Sequence, residues 1–236
     1  MQSSAAPQTL TNKTIAVTGG FGALGRAVGD ALQAAGAQVA LIDRTPTPAG
    51  LNSAVLALPD VDLGQADDAR RAMDEIVARF AGLDGLVNIA GGFRYETVES
   101  GSIETWDRLF AINVRTALLA SQAALPLLLK RGSGRIVNIG ANAASQASLG
   151  MGAYAASKSG VARLTEAMAE EFKDRGITVN AILPSILDTP ANRADMPKAD
   201  PSRWVSPAAL AQVIVFLLSD AGAPITGALI PVKGRV

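Results

Sequence analysis

One α/β domain, a doubly wound parallel sheet (Rossmann-type) with helices on both faces, is the fold this sequence predicts, and three observations predict it. Short apolar runs alternate with stretches of helical periodicity along nearly the whole chain. The runs read as continuously apolar, as strands covered on both faces do. The first run ends in a glycine cluster that leads straight into a helix-like stretch. At 236 residues the chain is long enough for one such domain with a sizeable core.

The elements follow in order. Thr14-Ile15-Ala16-Val17-Thr18 is β-branched and reads as a strand, residues 22–35 have apolar positions at helical spacing, and 38–43 form a second apolar run with an acid at its end. Together they make one βαβ unit of about 30 residues, the size of a nucleotide-binding crossover. Residues 54–58 read as a strand, 67–81 as a helix, 85–88 as a strand and 103–129 as one long helix. Residues 135–139, 177–182 and 228–231 read as strands, with 151–175 and 206–219 as helices. Residues 1–10 lack a basic segment and an apolar segment, and are expected to be a flexible tail preceding a domain of residues 11–236. Residues 183–205 hold Pro184, Pro190, Pro197 and Pro201 and break the β/α rhythm, which predicts a substrate lid.

Composition narrows the chemistry. Lys plus Arg and Asp plus Glu are 21 each, so no charge excess points to nucleic acid or an anionic membrane. The apolar stretch 117–129 contains Pro126 and is too short to span a bilayer, so a cytoplasmic protein is expected. With no cysteine and no histidine, thiolate nucleophiles, imidazole bases and the commonest zinc ligands are excluded. Catalysis must rest on Tyr, Lys, Ser, Asn, carboxylates or a bound cofactor, and no metal site is expected.

Two motifs supply candidates. Thr18-Gly19-Gly20-Phe21-Gly22-Ala23-Leu24-Gly25 lies between the first strand and first helix, where glycines let backbone approach a pyrophosphate and the helix start offers free N–H groups. Asp43, eighteen residues beyond Gly25, is placed to accept hydrogen bonds from adenosine ribose hydroxyls, which favours NAD(H). Arg44 beside it could pair with a 2′-phosphate, which keeps NADP(H) possible. Tyr154 and Lys158 stand four residues apart in a helical stretch, on one face, where an ammonium can lower the pKa of a phenol.

With the glycine loop, Asp43, Asn88-Ile89-Ala90-Gly91, Asn113 and Tyr154-x-x-x-Lys158 in this order, the chain resembles the short-chain dehydrogenase/reductase family from about Thr14 onward. The resemblance implies that Gly19, Ala23 and Gly25 shape the phosphate turn, with Phe21, Gly22 and Leu24 in the same loop, and that Asp62 and Leu63 flank the adenine. It implies that Asn88, Ala90 and Gly91 line the cofactor groove and that Pro184, Leu187 and Thr189 meet the nicotinamide carboxamide. Tyr154 would donate the proton, Lys158 would also hold the nicotinamide ribose, and Asn113 would support a water-linked relay to Lys158. A small-molecule substrate and a homodimer or homotetramer are implied as well.

One departure stands out. The family's catalytic serine lies thirteen residues before the tyrosine, and that position here is Ala141. A serine there stabilises a developing alkoxide, and losing one such donor costs roughly 10²–10³ in rate. Asn142 or Ser145 could substitute if the loop turned them inward. The dihydropteridine reductase branch shares this loss, and is similar in Gly140-Ala141 and in the stretch from Leu187-Asp188-Thr189-Pro190 through Asn192-Arg193 and Met196-Pro197 to Trp204. That resemblance implies NADH-dependent reduction of a conjugated C=N or C=O acceptor, quinonoid dihydropteridine being the most specific expectation. The alternatives are a carbonyl reductase of the 3-oxoacyl-thioester type, and a cofactor-binding protein whose catalysis has decayed. Phe93 and Trp204 could stack on a flat heterocycle, and Arg193 could meet polar substrate atoms or pair with Asp188.

Overall fold

The computed structural model describes residues 9–236, so most of the expected tail lies outside the described residues. Leu10 belongs to the domain: it is fully buried, and its N–H donates to the Ala35 carbonyl at 2.9 Å. Seven parallel strands form one sheet in the order β3-β2-β1-β4-β5-β6-β7. They are β1 (Thr14–Thr18), β2 (Gln38–Ile42), β3 (Leu56–Leu58), β4 (Gly85–Asn88), β5 (Gly134–Ile139), β6 (Ile177–Pro184) and β7 (Leu229–Val232). The helices are α1 (Ala23–Ala34), α2 (Ala66–Phe80), α3 (Ile103–Phe110), α4 (Thr116–Arg131), α5 (Gly152–Phe172), α6 (Pro190–Asp195) and α7 (Pro207–Leu218).

The mainly apolar strands have a direct explanation in the two cores. Ile15 and Val17 of β1 pack with Leu24, Val28 and Leu32 of α1 and with Leu210 and Ile214 of α7. Ala16 between them points the other way, into a core with Met73 and Ile76 of α2, Ala120 and Leu128 of α4 and Met168 of α5. Because strand side chains alternate faces and both faces are covered, most positions along the strands are apolar, and the polar exceptions Asn88 and Asn138 hydrogen-bond to each other.

Strand order reverses between β1 and β4, which register Thr18 against Ile42 on one side and Asn88 on the other. The crevice beyond the carboxyl ends at such a reversal is where ligands of doubly wound sheets bind. Hydrogen bonds to Thr18 fix one of its edges. Thr18 Oγ1 accepts from the N–H groups of Ile89 (3.0 Å) and Ala90 (3.1 Å), turning the chain as it leaves β4.

The expected long helix over 103–129 runs from Ile103 to Arg131, with a π-helical turn inside it. Residues Ala111–Arg115 form a π-helical turn between α3 and α4, which inserts an extra residue into the helical register. Together Ile103–Arg131 are long and apolar enough to cross a membrane, yet α4 presents Ala120, Ala124 and Leu128 to the sheet as core. The 183–205 segment is folded rather than a bare loop. Its stem closes where Val205 N–H donates to Ile186 O (3.0 Å) and Asp188 N–H to Val205 O (2.8 Å). Between these bonds Thr189 caps α6 by accepting from Asn192 N–H at 3.2 Å.

Candidate active site

A groove of about 610 Å³ runs along the carboxyl ends of β1, β2 and β4. Gly19, Gly22, Ala23, Leu24 and Gly25 form its floor, Asp43, Arg44, Asp62 and Leu63 one end, and Ala90, Gly91 and Thr189 the opposite wall. At two points the backbone of the floor requires glycine. Gly19 has φ +63°, and a Cβ on Gly25 would lie 2.2 Å from the Gly19 carbonyl oxygen. No side chain caps the first turn of α1, so its amides remain available to an anion in the groove. This floor, with a carboxylate at one end, fits a dinucleotide.

Asp43 is held in place by the protein. Its Oδ2 accepts from Phe21 N–H (3.1 Å), while Oδ1 accepts from Thr45 N–H (3.1 Å) and Thr45 Oγ1 (2.9 Å). A carboxylate has about four acceptor sites, so capacity remains for a ribose hydroxyl. Phe21 therefore acts through its amide, and its ring packs against the core. Asn88 is a correction of a different kind. Its side chain is buried, donating to Ser121 Oγ (3.0 Å) and Asn138 Oδ1 (2.9 Å), so it ties β4 to α4 and β5 behind the groove. Pro184 and Leu187 likewise stand in packing, Pro184 buried at the end of β6 and Leu187 bridged to Val205.

At the far end of the groove α5 begins. Tyr154 and Lys158 lie on its first two turns, and the Tyr154 hydroxyl makes no bond within the described protein. Lys158 Nζ donates to the Ile139 carbonyl at the end of β5 at 2.8 Å. Burial pushes the phenol up to about 12 and the ammonium down to about 8. The expected lowering of the phenol by Lys158 is not found: burial alone raises it, and Tyr154 stands protonated as a donor.

Asn113 occupies the π-helical turn as a clamp. Its Oδ1 accepts from Gly92 N–H (2.9 Å), and its Nδ2 donates to Gly92 O (3.1 Å) and to Ser157 Oγ (2.9 Å). Ser157 Oγ in turn donates to the Tyr154 carbonyl at 2.8 Å, joining the β4 exit loop to the turn of α5 that carries the tyrosine. Sequence reasoning missed Ser157, although its place three residues after Tyr154 puts it on the same side of the helix. A Cβ on Gly91 would sit 2.4 Å from Asn113 Oδ1 and 3.5 Å from Lys158 Nζ, so only glycine leaves this clamp intact.

The candidate substrate residues divide. The Phe93 ring meets Tyr154 edge-on with centroids 4.9 Å apart, which puts it beside the phenol. Trp204 is 8% exposed and is part of the packed interior, so it offers no free stacking face. Arg193 pairs with Asp188 through Nε–Oδ1 (2.6 Å) and Nη2–Oδ2 (2.9 Å), the surface pairing. Ala141 is buried with extended backbone at the end of β5, and Asn142 opens a short helical turn whose next residue, Ser145, is exposed.

Lys158 gives a pH prediction. Its native value lies below the unfolded one, so between about pH 8 and 10.5 the unfolded chain binds more protons and stability rises with pH. Below pH 8 the buried charge costs its full amount, about 3 kcal/mol at about 1.4 kcal/mol per pH unit. Denaturant unfolding of the cofactor-free protein should show wild type gaining about this much relative to Lys158→Met across that interval. Parallel pH profiles for the two proteins would show that Lys158 is not desolvated.

Residues 13–200 match the family described as short chain dehydrogenase. This chain belongs to that family. It is 34% identical over 246 residues to 2-(S)-hydroxypropyl-CoM dehydrogenase 3 of Xanthobacter autotrophicus, covering 95% of this chain and 96% of that one. It is 37% identical over 221 residues to a protein of the same organism named inactive 2-(S)-hydroxypropyl-CoM dehydrogenase 2, covering 85% and 95%. Among solved structures, 3-ketoacyl-(acyl-carrier-protein) reductase from Brucella melitensis, complexed with NADH, superposes with a TM-score of 0.86 at 26% identity, over 95% of this chain and 98% of that one. The chain is therefore an NAD(P)H-dependent oxidoreductase of the short-chain dehydrogenase family.

Proposed function

We propose that this enzyme transfers a hydride from NADH to a conjugated C=N or C=O acceptor, with Tyr154 as the proton donor. One observation carries this reading: Ala141 puts a buried methyl group at the end of β5, beside the strand end that Lys158 grips, while Tyr154, Lys158 and Asn113 are all present. The dinucleotide supplies the hydride when bound. The α1 amides would hold its pyrophosphate, Asp43 its adenosine ribose, Lys158 its nicotinamide ribose and Thr189 its carboxamide end. Hydride addition to a quinonoid ring spreads charge over the conjugated system, so no hydroxyl at position 141 is required to hold an alkoxide. Tyr154, kept protonated by burial, then delivers its proton to the reduced acceptor. The lid sequence from Leu187 to Trp204 supports quinonoid dihydropteridine as the acceptor.

A second reading has its own support. The likeness to a 3-ketoacyl-(acyl-carrier-protein) reductase favours a thioester-linked ketone, with Asn142 or Ser145 supplying the missing donor. The relative named inactive favours a third, a cofactor-binding protein without turnover. NADH oxidation measured with quinonoid dihydropterin and with an acetoacetyl thioester separates all three. Turnover of the pterin supports the proposal, turnover of the thioester alone supports the second reading, and binding without any turnover supports the third. The same proposal puts the enzyme in the cytoplasm as a homodimer or homotetramer, in which a second copy would cover the exposed Trp106 and Phe110 of α3.

A further inference from the structure

Beside the dinucleotide groove lies a second concavity of about 290 Å³, between the chain leaving β4 and the exposed side of α3. Arg44, Arg94 and Arg108 all line it, from three separate segments, together with Thr105, while no carboxylate does. None of the three guanidiniums takes part in an ion pair or side-chain hydrogen bond among the described residues, in contrast to Arg193, which is fully paired. In a chain with equal numbers of acidic and basic residues, this gathering of unneutralised charge is not a consequence of composition. Gly91, Arg44 and Ile112 border both concavities, so the two are continuous, and Phe93 links the second one to Tyr154.

We propose that this pocket binds a phosphate group, held by Arg94 and Arg108 with Arg44 at the mouth. Guanidiniums recognise phosphate oxygens through paired N–H donors, and an unneutralised set gains most from a dianion. The phosphate has two possible carriers, since the pocket opens both to the adenosine end of the groove and to Phe93. It is either the 2′-phosphate of the cofactor or a phosphate on a carrier-bound substrate. The first source rests on the dinucleotide reading given above; the second does not. With Asp43 opposing a 2′-phosphate, Arg94 and Arg108 would be the residues that decide whether NADP(H) is accepted.

The test is equilibrium binding, followed by tryptophan fluorescence, to wild type and to the double variant Arg94→Ser/Arg108→Ser. Both residues are exposed, so the variant should keep its fold, and a melting temperature checks this. Two ligand pairs are compared: NADP⁺ against NAD⁺, and 4′-phosphopantetheine against pantetheine. Wild type should bind the phosphorylated member of one pair more tightly than the variant does, by about ten- to a hundredfold, while NAD⁺ affinity stays within about twofold. The pair that responds identifies the source. No phosphorylated ligand losing affinity in the variant would overturn the proposal. If wild type bound neither dinucleotide, the hydride-transfer reading would fail, and the pantetheine pair would still decide the pocket.

Discussion

Tyr154→Phe is expected to lower kcat by about 10²–10⁴-fold, the usual range for removing a positioned general acid, while leaving the Kd for NADH within about twofold. The phenol makes no structural hydrogen bond, so the variant loses no buried partner and should fold normally. Its ring remains, and with it the edge-on contact with Phe93. The effect should fall on kcat and kcat/KM together, because the proton is needed only as charge develops on the acceptor. A variant retaining full turnover would remove Tyr154 from the chemistry and leave only its packing.

Gly25→Ala should abolish measurable NADH binding and destabilise the protein by about 3 kcal/mol, whereas Gly22→Ala, three residues earlier, should leave stability nearly unchanged. The difference lies in what a methyl group would meet. At Gly25 it would lie 2.2 Å from Gly19 O and 2.7 Å from Gly20 Cα, both backbone atoms that cannot rotate away. At Gly22 the nearest atom is 3.5 Å distant, an ordinary contact. Relief at Gly25 requires the loop to separate from α1, which dismantles the floor of the groove. Thermal melting with fluorescence titration of NADH would read both effects, and equal behaviour of the two variants would contradict the assignment of this loop.

The sheet was legible because both faces are covered, so the strands read as mainly apolar runs, even where polar residues such as Asn138 and Asn180 interrupt them. The π-helical turn was not, since the apolar pattern of 103–129 continues across it, while the turn is what carries Asn113 to its bonds with Gly92 and Ser157. Asn88 lies in a motif next to groove residues, yet the direction of its side chain depends on Ser121 and Asn138, partners distant in sequence. Trp204 was similarly ambiguous: an aromatic in a lid can cover a ligand or the core, and only the folded-back stem around Val205 decides for the core. The pKa of Tyr154 was not legible either. Spacing suggests an ammonium beside the phenol, but the shift comes from desolvation, and burial cannot be read from spacing. Arg94 and Arg108 were invisible as a pair because no local pattern links a loop residue to an exposed helical one; the fold puts them on one concavity.

The central claim, that Tyr154 and Lys158 serve an acceptor needing no hydroxyl at position 141, is tested most directly by the ratio of kcat/KM for quinonoid dihydropterin to that for an acetoacetyl thioester, with NADH as donor. Since a lost alkoxide donor costs roughly 10²–10³ on a simple ketone, the pterin is expected to lead by at least about tenfold. Turnover confined to the thioester would contradict the claim.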